Sequence, residues 1–147
     1  MLQPGDSIPD FSLQAGTGAT VASLRLQGQR WVLYFYPKDH TPGCTIETKE
    51  FGAAQAEFRS RGVEVFGCSD GDVAAKTAFA TDCGAPDLPL LSDPDHAVAS
   101  AFGTWVDGGT REVGRSTFLI DAKGRVERVW PRVKPSGHAA EVLAALD

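Results

Sequence analysis

Trp31-Val32-Leu33-Tyr34-Phe35-Tyr36-Pro37-Lys38-Asp39-His40-Thr41-Pro42-Gly43-Cys44 is the stretch on which the reading of the whole chain turns. Its first six residues are aromatic or aliphatic without a break. Such a run suits a central strand covered on both faces better than a half-exposed one. Pro37 stops it, and residues 38–43 read as a loop punctuated by Pro42-Gly43. A helix is expected from about Cys44 to Arg59, because Phe51, Ala54 and Phe58 recur at helical spacing. Glu47, Lys49, Glu50 and Glu57 are expected on its wet sides. Strand, loop and helix together deliver one cysteine onto a first helical turn.

On the N-terminal side, Phe11-Ser12-Leu13 and Ala19-Thr20-Val21 read as two short strands. Gly16 and Gly18 make the turn between them, giving a small hairpin. Residues 22–30 are ambiguous, with Gly28-Gln29-Arg30 as a turn. On the C-terminal side, Arg61-Gly62 closes the helix and Val63 to Cys68 is a strand. Ser69-Asp70-Gly71-Asp72 supplies a turn and helix caps. A second helix is expected from Val73 to about Cys83, stopped by Gly84. Pro89 makes Leu88 to Leu91 an edge strand or a loop. Asp93-Pro94 opens a short helix through Phe102, ended by Gly103. Asp107-Gly108-Gly109 is a hairpin turn. Ser116 to Ile120 and Val126 to Trp130 are strands around Asp121-Ala122-Lys123-Gly124. Ser136 is expected to cap a final helix that buries Val142, Leu143 and Leu146. The pattern gives an α/β fold, a three-layer sandwich with a mixed central sheet and an N-terminal hairpin, as one domain over residues 1–147.

Bulk properties narrow the function. The chain has 147 residues and a net charge of −5, which argues against a nucleic-acid partner. No apolar stretch is long enough to span a membrane. The first residues carry neither a positive region nor an apolar one, so a cytoplasmic location is expected. Three widely spaced cysteines do not form a disulfide framework. In a reducing compartment they are buried, catalytic or metal-binding.

Cys44 is the reactive candidate. At a helix start it faces unpaired backbone amides and the positive end of the dipole, which both favour thiolate over thiol. A buried, inert thiol is the competing reading. Thr41, three residues earlier, has a hydroxyl that either donates to a bound oxygen or the thiolate, or simply stabilises the loop. Arg115 can neutralise the thiolate if the fold brings it there. Asp39, His40, Cys44 and Glu47 lack the paired spacing of a zinc site. His96 and His138 read as solvated or capping residues. The Gly103 to Gly109 region has no phosphate-loop signature, and there is no Cys-x-x-Cys.

The segment from Phe35 to Thr45, with Glu47, resembles the active-site segment of the peroxiredoxins. It is most similar to the bacterioferritin-comigratory-protein, or PrxQ-like, subfamily. Leu90-Leu91-Ser92-Asp93, Gly114 to Asp121, and Lys134 to Leu146 with Gly137-His138-Ala139 extend the resemblance over nearly the whole chain. It implies a thioredoxin-like fold and a thiol-dependent peroxidase acting on hydrogen peroxide and organic hydroperoxides. Cys44 is then the peroxidatic cysteine, with Thr41 hydrogen-bonding the peroxide, Pro42 shielding the thiol and Arg115 holding positive charge beside it. No metal or other cofactor is implied. Many such proteins carry a resolving cysteine five residues after the peroxidatic one; here that position is Lys49. Other members carry it on the following helix, which makes Cys83 the candidate although it lies about one turn beyond Ala80. Cys68 is the alternative. The resemblance further implies an intramolecular disulfide, reduction by thioredoxin or a similar dithiol, and a monomer. A one-cysteine peroxidase with an external resolving thiol and a non-enzymatic interaction domain are the rival functions.

Overall fold

The computed structural model describes residues 1–106 and 112–146. Its elements in order are β1 (Ser12–Gln14), β2 (Thr20–Ala22), a 3-10 turn (Ser23–Leu26), β3 (Arg30–Phe35), α1 (Pro42–Ser60) and β4 (Val63–Ser69). Then come α2 (Val73–Asp82), β5 (Leu90–Ser92), α3 (Ala97–Phe102), β6 (Trp105–Val106), β7 (Glu112–Val113), β8 (Ser116–Ile120), β9 (Val126–Trp130) and α4 (His138–Ala144). The expected Asp107-Gly108-Gly109 turn lies outside the described residues, although β6 and β7 on either side of it pair antiparallel.

The five-stranded sheet has the order β5-β4-β3-β8-β9. β3 and β5 flank β4 in parallel, while β3–β8 and β8–β9 are antiparallel, so the sheet is mixed. The apolar run from Trp31 is the central strand, and Trp31 through Tyr36 are all fully buried or nearly so. Alternate residues feed opposite layers, as the two-residue period of a strand requires. Val32, Tyr34 and Tyr36 join Phe51, Phe58, Phe79, Leu88 and Val142 beneath α1, α2 and α4. Trp31, Leu33 and Phe35 join Phe66, Phe102, Phe118 and Ile120 on the other face, against α3 and the β1–β2 hairpin. Helices on one face, sheet, and α3 with the hairpin on the other make the expected three layers.

Several local expectations change. α1 begins at Pro42 rather than Cys44, because Thr41 holds the extended dihedrals of a cap and Pro42 sits at the first helical position. α3 begins at Ala97, several residues after Asp93-Pro94, because His96 takes a left-handed conformation with φ 61°. Asp93 still governs that start: its carboxylate accepts from the Val98 and Ala99 amides. Ser136 does not cap α4. Gly137 holds the cap position at φ 83°, and the Glu50 carboxylate of α1 takes its N–H at 3.0 Å. His138 is not solvated either; it is buried, between Thr117 Oγ1 at 2.7 Å and Glu141 Oε1 at 2.8 Å.

Phe51 ties α1 to the sheet and to α4. Its ring stacks on Tyr34 with centroids 4.4 Å apart and meets His138 edge-on. Phe51→Ala is expected to lower stability by about 3–5 kcal/mol, the range for deleting a buried aromatic. Urea denaturation checks this, and a loss under about 1 kcal/mol would contradict the central place given to this contact.

Candidate active site

The β3–β8 pairing builds the site. Phe35, at the end of β3, lies opposite Ser116, at the start of β8. The loop that leaves β3 toward Cys44 therefore emerges beside Arg115. Residues 71 apart in sequence come together: Arg115 Nη2 donates to Cys44 Sγ at 3.3 Å. Cys44 is in the first turn of α1 and is fully buried. Pro42, two residues before it, is exposed at the helix tip. Gly43 is needed for the close approach, since a Cβ there would lie 3.0 Å from Arg115 Nη2 and 3.3 Å from Pro135. Thr41 accepts the Thr45 amide and hydroxyl on its carbonyl, at 2.9 and 2.8 Å. Its own hydroxyl donates to Lys38 O at 3.0 Å, the loop-stabilising contact.

Glu47 is not on a wet face. It lies one turn after Cys44, is 1% exposed, and accepts from Arg115 Nη1 at 2.9 Å through Oε1. The expectation failed because it treated every charged residue of α1 as solvated, whereas Cys44, Glu47 and Phe51 at three- and four-residue spacing share one face. Burial pushes the Glu47 carboxyl up to about 7, against the pull of Arg115. Arg115 loses hydration, which pulls it down, but its hydrogen bonds and charges with Cys44 and Glu47 outweigh this and raise it.

The loop itself is pinned to α2. Lys76 is completely buried, and its Nζ donates to both Asp39 oxygens at 2.9 and 3.0 Å and to Tyr36 Oη at 3.2 Å. Ser69 Oγ is a further partner of that ammonium. Burial pushes Lys76 down, and the Asp39 carboxylate opposes the shift. Next to Asp39, His40 pairs with Asp82 at 2.8 Å and packs its ring against Phe79. Asp39, His40, Cys44 and Glu47 thus face Lys76, Asp82, Arg115 and Arg115 in turn, rather than a common centre. His96 stacks on Trp105 with centroids 3.7 Å apart and pairs with Asp70. Sequence reading missed Lys76 because a lysine on a helix is ordinarily solvated. The available signal was Asp39 directly after a buried strand, a carboxylate in need of a cation.

The three cysteines are free and buried. Cys83 follows the last residue of α2 and belongs to the same apolar cluster as Cys44. Cys68 lies in β4, beside Phe35 in register, and packs in the cluster on the opposite face of the sheet. Burial raises the thiols of both Cys68 and Cys83, Cys68 far more. Lys49, five residues after Cys44, is exposed.

Comparison with known proteins shows the family. Residues 4–129 match the model of the AhpC/TSA family. A putative peroxiredoxin Bcp of Coxiella burnetii is 38% identical over 150 residues, covering 99% of this chain and 99% of the relative. Peroxiredoxin Bcp of Escherichia coli is 39% identical over 147 residues, covering 97% and 94%. Among solved structures, a Xylella fastidiosa PrxQ mutant superposes with a TM-score of 0.94 at 32% identity, covering 99% and 96%. A Xanthomonas campestris peroxiredoxin Q gives 0.87 at 37% identity, covering 92% and 89%. With its thioredoxin-like sheet and a buried cysteine held against an arginine at a helix start, this chain belongs to the AhpC/TSA family as a peroxiredoxin of the Bcp/PrxQ kind, a thiol-dependent peroxidase.

Proposed function

We propose that Cys44 is the peroxidatic cysteine, that Cys83 resolves it within the same chain, and that thioredoxin or a similar dithiol reduces the product. The observation that carries the first step is the Arg115 hydrogen bond to Cys44 Sγ at the N-terminus of α1. A guanidinium and a helix start both favour thiolate, the nucleophilic form. The thiolate attacks the distal peroxide oxygen. The S–O bond forms, the O–O bond breaks, and the leaving oxygen departs as hydroxide or alkoxide and takes a proton. Arg115 is the fixed donor for charge developing on the oxygens. Thr41 turns its hydroxyl from Lys38 O to the peroxide, and Pro42 shields the thiol. Hydrogen peroxide and organic hydroperoxides both fit this chemistry.

The second step favours Cys83 over Cys68. Cys83 shares the Cys44 side of the sheet, whereas Cys68 would have to cross the sheet. The Cys83 thiolate attacks the sulfenic sulfur, forms the disulfide and releases water. Because burial raises the Cys83 thiol, it stays inert until the end of α2 opens. The bond itself needs the two Cα atoms within about 7 Å, and on this reading the end of α2 moves to bring the thiols together. We further propose a monomer that works as one peroxiredoxin domain over residues 1–147 in the cytoplasm. Three cysteines, an odd number at wide spacing, support a reducing compartment. No helix is long and apolar enough to cross a membrane among the described residues.

Cys44→Ser should abolish peroxide-dependent NADPH oxidation in an assay with thioredoxin and its reductase; normal turnover would sink the peroxidatic role. Arg115→Met should slow single-turnover Cys44 oxidation by about 10²–10³-fold, the range for losing one preorganised donor. After one equivalent of peroxide, peptide mapping should find a Cys44–Cys83 disulfide, with Cys68→Ser leaving its yield unchanged. A Cys44–Cys68 bond would overturn the choice of Cys83. Sulfenic acid alone would favour the one-cysteine route with an external thiol.

A further inference from the structure

Glu47 is a buried ionisable group on the arginine that holds Cys44, and the peroxidase cycle described above gives it no part. One of its oxygens is spent on Arg115, and the other, Oε2, is buried with no hydrogen-bond partner among the described residues. The same guanidinium holds Cys44 Sγ. A thiolate and a carboxylate on one guanidinium would place two negative charges against one positive charge away from water. Such a site is strongly disfavoured, and a proton on one acid relieves it. Of the surrounding groups, Glu50 reinforces this. Glu50 of α1 repels a Glu47 carboxylate, Tyr34 of β3 faces it, and beyond Glu50 stands His138 of α4. Arg115 opposes them, and burial outweighs it, so the carboxyl titrates near neutrality, at about 7.

We propose that Glu47 carries a proton while Cys44 is a thiolate, and gives it up as Cys44 is oxidised. The step balances: Cys44–S⁻ + ROOH + Glu47–COOH → Cys44–SOH + ROH + Glu47–COO⁻. The S–O bond forms and the O–O bond breaks. Sulfur loses two electrons to the peroxide oxygens, and the Glu47 proton ends on the leaving oxygen. With Arg115 counted, the site is neutral before the step and neutral after it. The cation passes from the thiolate, which disappears, to the carboxylate, which forms. Glu47 touches Arg115 and acts through it, so it is a positioning residue with a proton coupled to the redox state of Cys44.

The inference rests on Cys44 as the peroxidatic cysteine, and the experiment separates the two. Wild type and Glu47→Gln, whose amide still accepts a hydrogen bond from Arg115, are mixed with hydrogen peroxide in weak buffer just below pH 7. A pH indicator counts protons taken from solvent, and mass spectrometry counts oxidised Cys44 in the same samples. Glu47→Gln should take up about one proton more per oxidised Cys44 than wild type, because wild type draws that proton from Glu47. The peroxide-induced infrared difference spectrum of wild type should lose a protonated-carboxyl C=O band. That readout tests the idea even if the variant fails to fold. Equal proton uptake, or an unchanged carboxyl band with Cys44 oxidised, overturns the coupling. Unoxidised Cys44 overturns the peroxidase reading beneath it.

Discussion

One guanidinium organises this molecule. Arg115 holds Cys44 Sγ at 3.3 Å with one nitrogen and Glu47 Oε1 at 2.9 Å with the other. Arginine suits the position because its planar fork presents two donors in fixed directions and stays charged. Everything else in the site serves that geometry. The antiparallel β3–β8 register sets Arg115 beside the start of α1. Gly43 removes the side chain that would push the guanidinium away. Glu47 completes the pair from one turn further along the same helix. A thiol at a helix start is only modestly activated by the dipole. A thiol at a helix start beside a half-buried arginine has a partner that water screens less than it would at the surface.

The sheet divides the cysteines between two chemical environments. Strand alternation sends Phe35 and Cys68 to one face, and Tyr34 and Tyr36 to the other, where Cys44 and Cys83 lie. That face also holds most of the polar atoms buried in the core. Tyr34 Oη meets Thr48 Oγ1 at 3.0 Å, Tyr36 Oη donates to Asp39 at 2.7 Å, and His138 bridges Thr117 and Glu141. Each is satisfied, as burial demands. Two buried polar atoms of the described residues lack a partner, Trp130 Nε1 and Glu47 Oε2, and the second lies on the arginine that holds Cys44. An unsatisfied polar atom beside a reactive thiol is where a protein trades local stability for function.

What the sequence made legible follows from the range of the forces involved. The covered strand, the body of α1, the α2 span and the β8–β9 hairpin depend on local periodicity and turn chemistry, and they read correctly, while α1 starts two residues earlier than expected. Thr41, Pro42 and Cys44 lie within four consecutive residues, so the loop and helix start could be read as a unit. Arg115 could be named but not placed, because only tertiary pairing brings it to Cys44. Glu47 and Lys76 were misread or missed for one common reason. Charged residues on helices are assigned to solvent by default, and only a distant counter-charge reverses that assignment. Ser136 lost its capping role to Glu50, a residue 87 positions from Gly137. Backbone amides are satisfied by whichever acceptor the fold brings nearest, not by the nearest in sequence.

The α2 contacts give direction to the movement that a Cys44–Cys83 bond requires. Near its start, α2 is held by the buried Lys76–Asp39 pair with Tyr36 and Ser69. Breaking one side of such a pair costs about 3–5 kcal/mol. At its end, beside Cys83, the link to the active-site loop is the His40–Asp82 pair, with side chains 48% and 65% exposed. Exposed pairs contribute only about 0–1 kcal/mol. On the proposed role of Cys83, these ion pairs favour opening from the C-terminal end of α2, against the burial of Phe79 and Cys83, with Lys76 keeping Asp39 anchored. In that proposal the thiol of Cys83 would approach Cys44 while the loop before it stays fixed at Asp39, so the two ends of α2 have different parts: a buried anchor at Lys76 and a weakly tied end at Asp82.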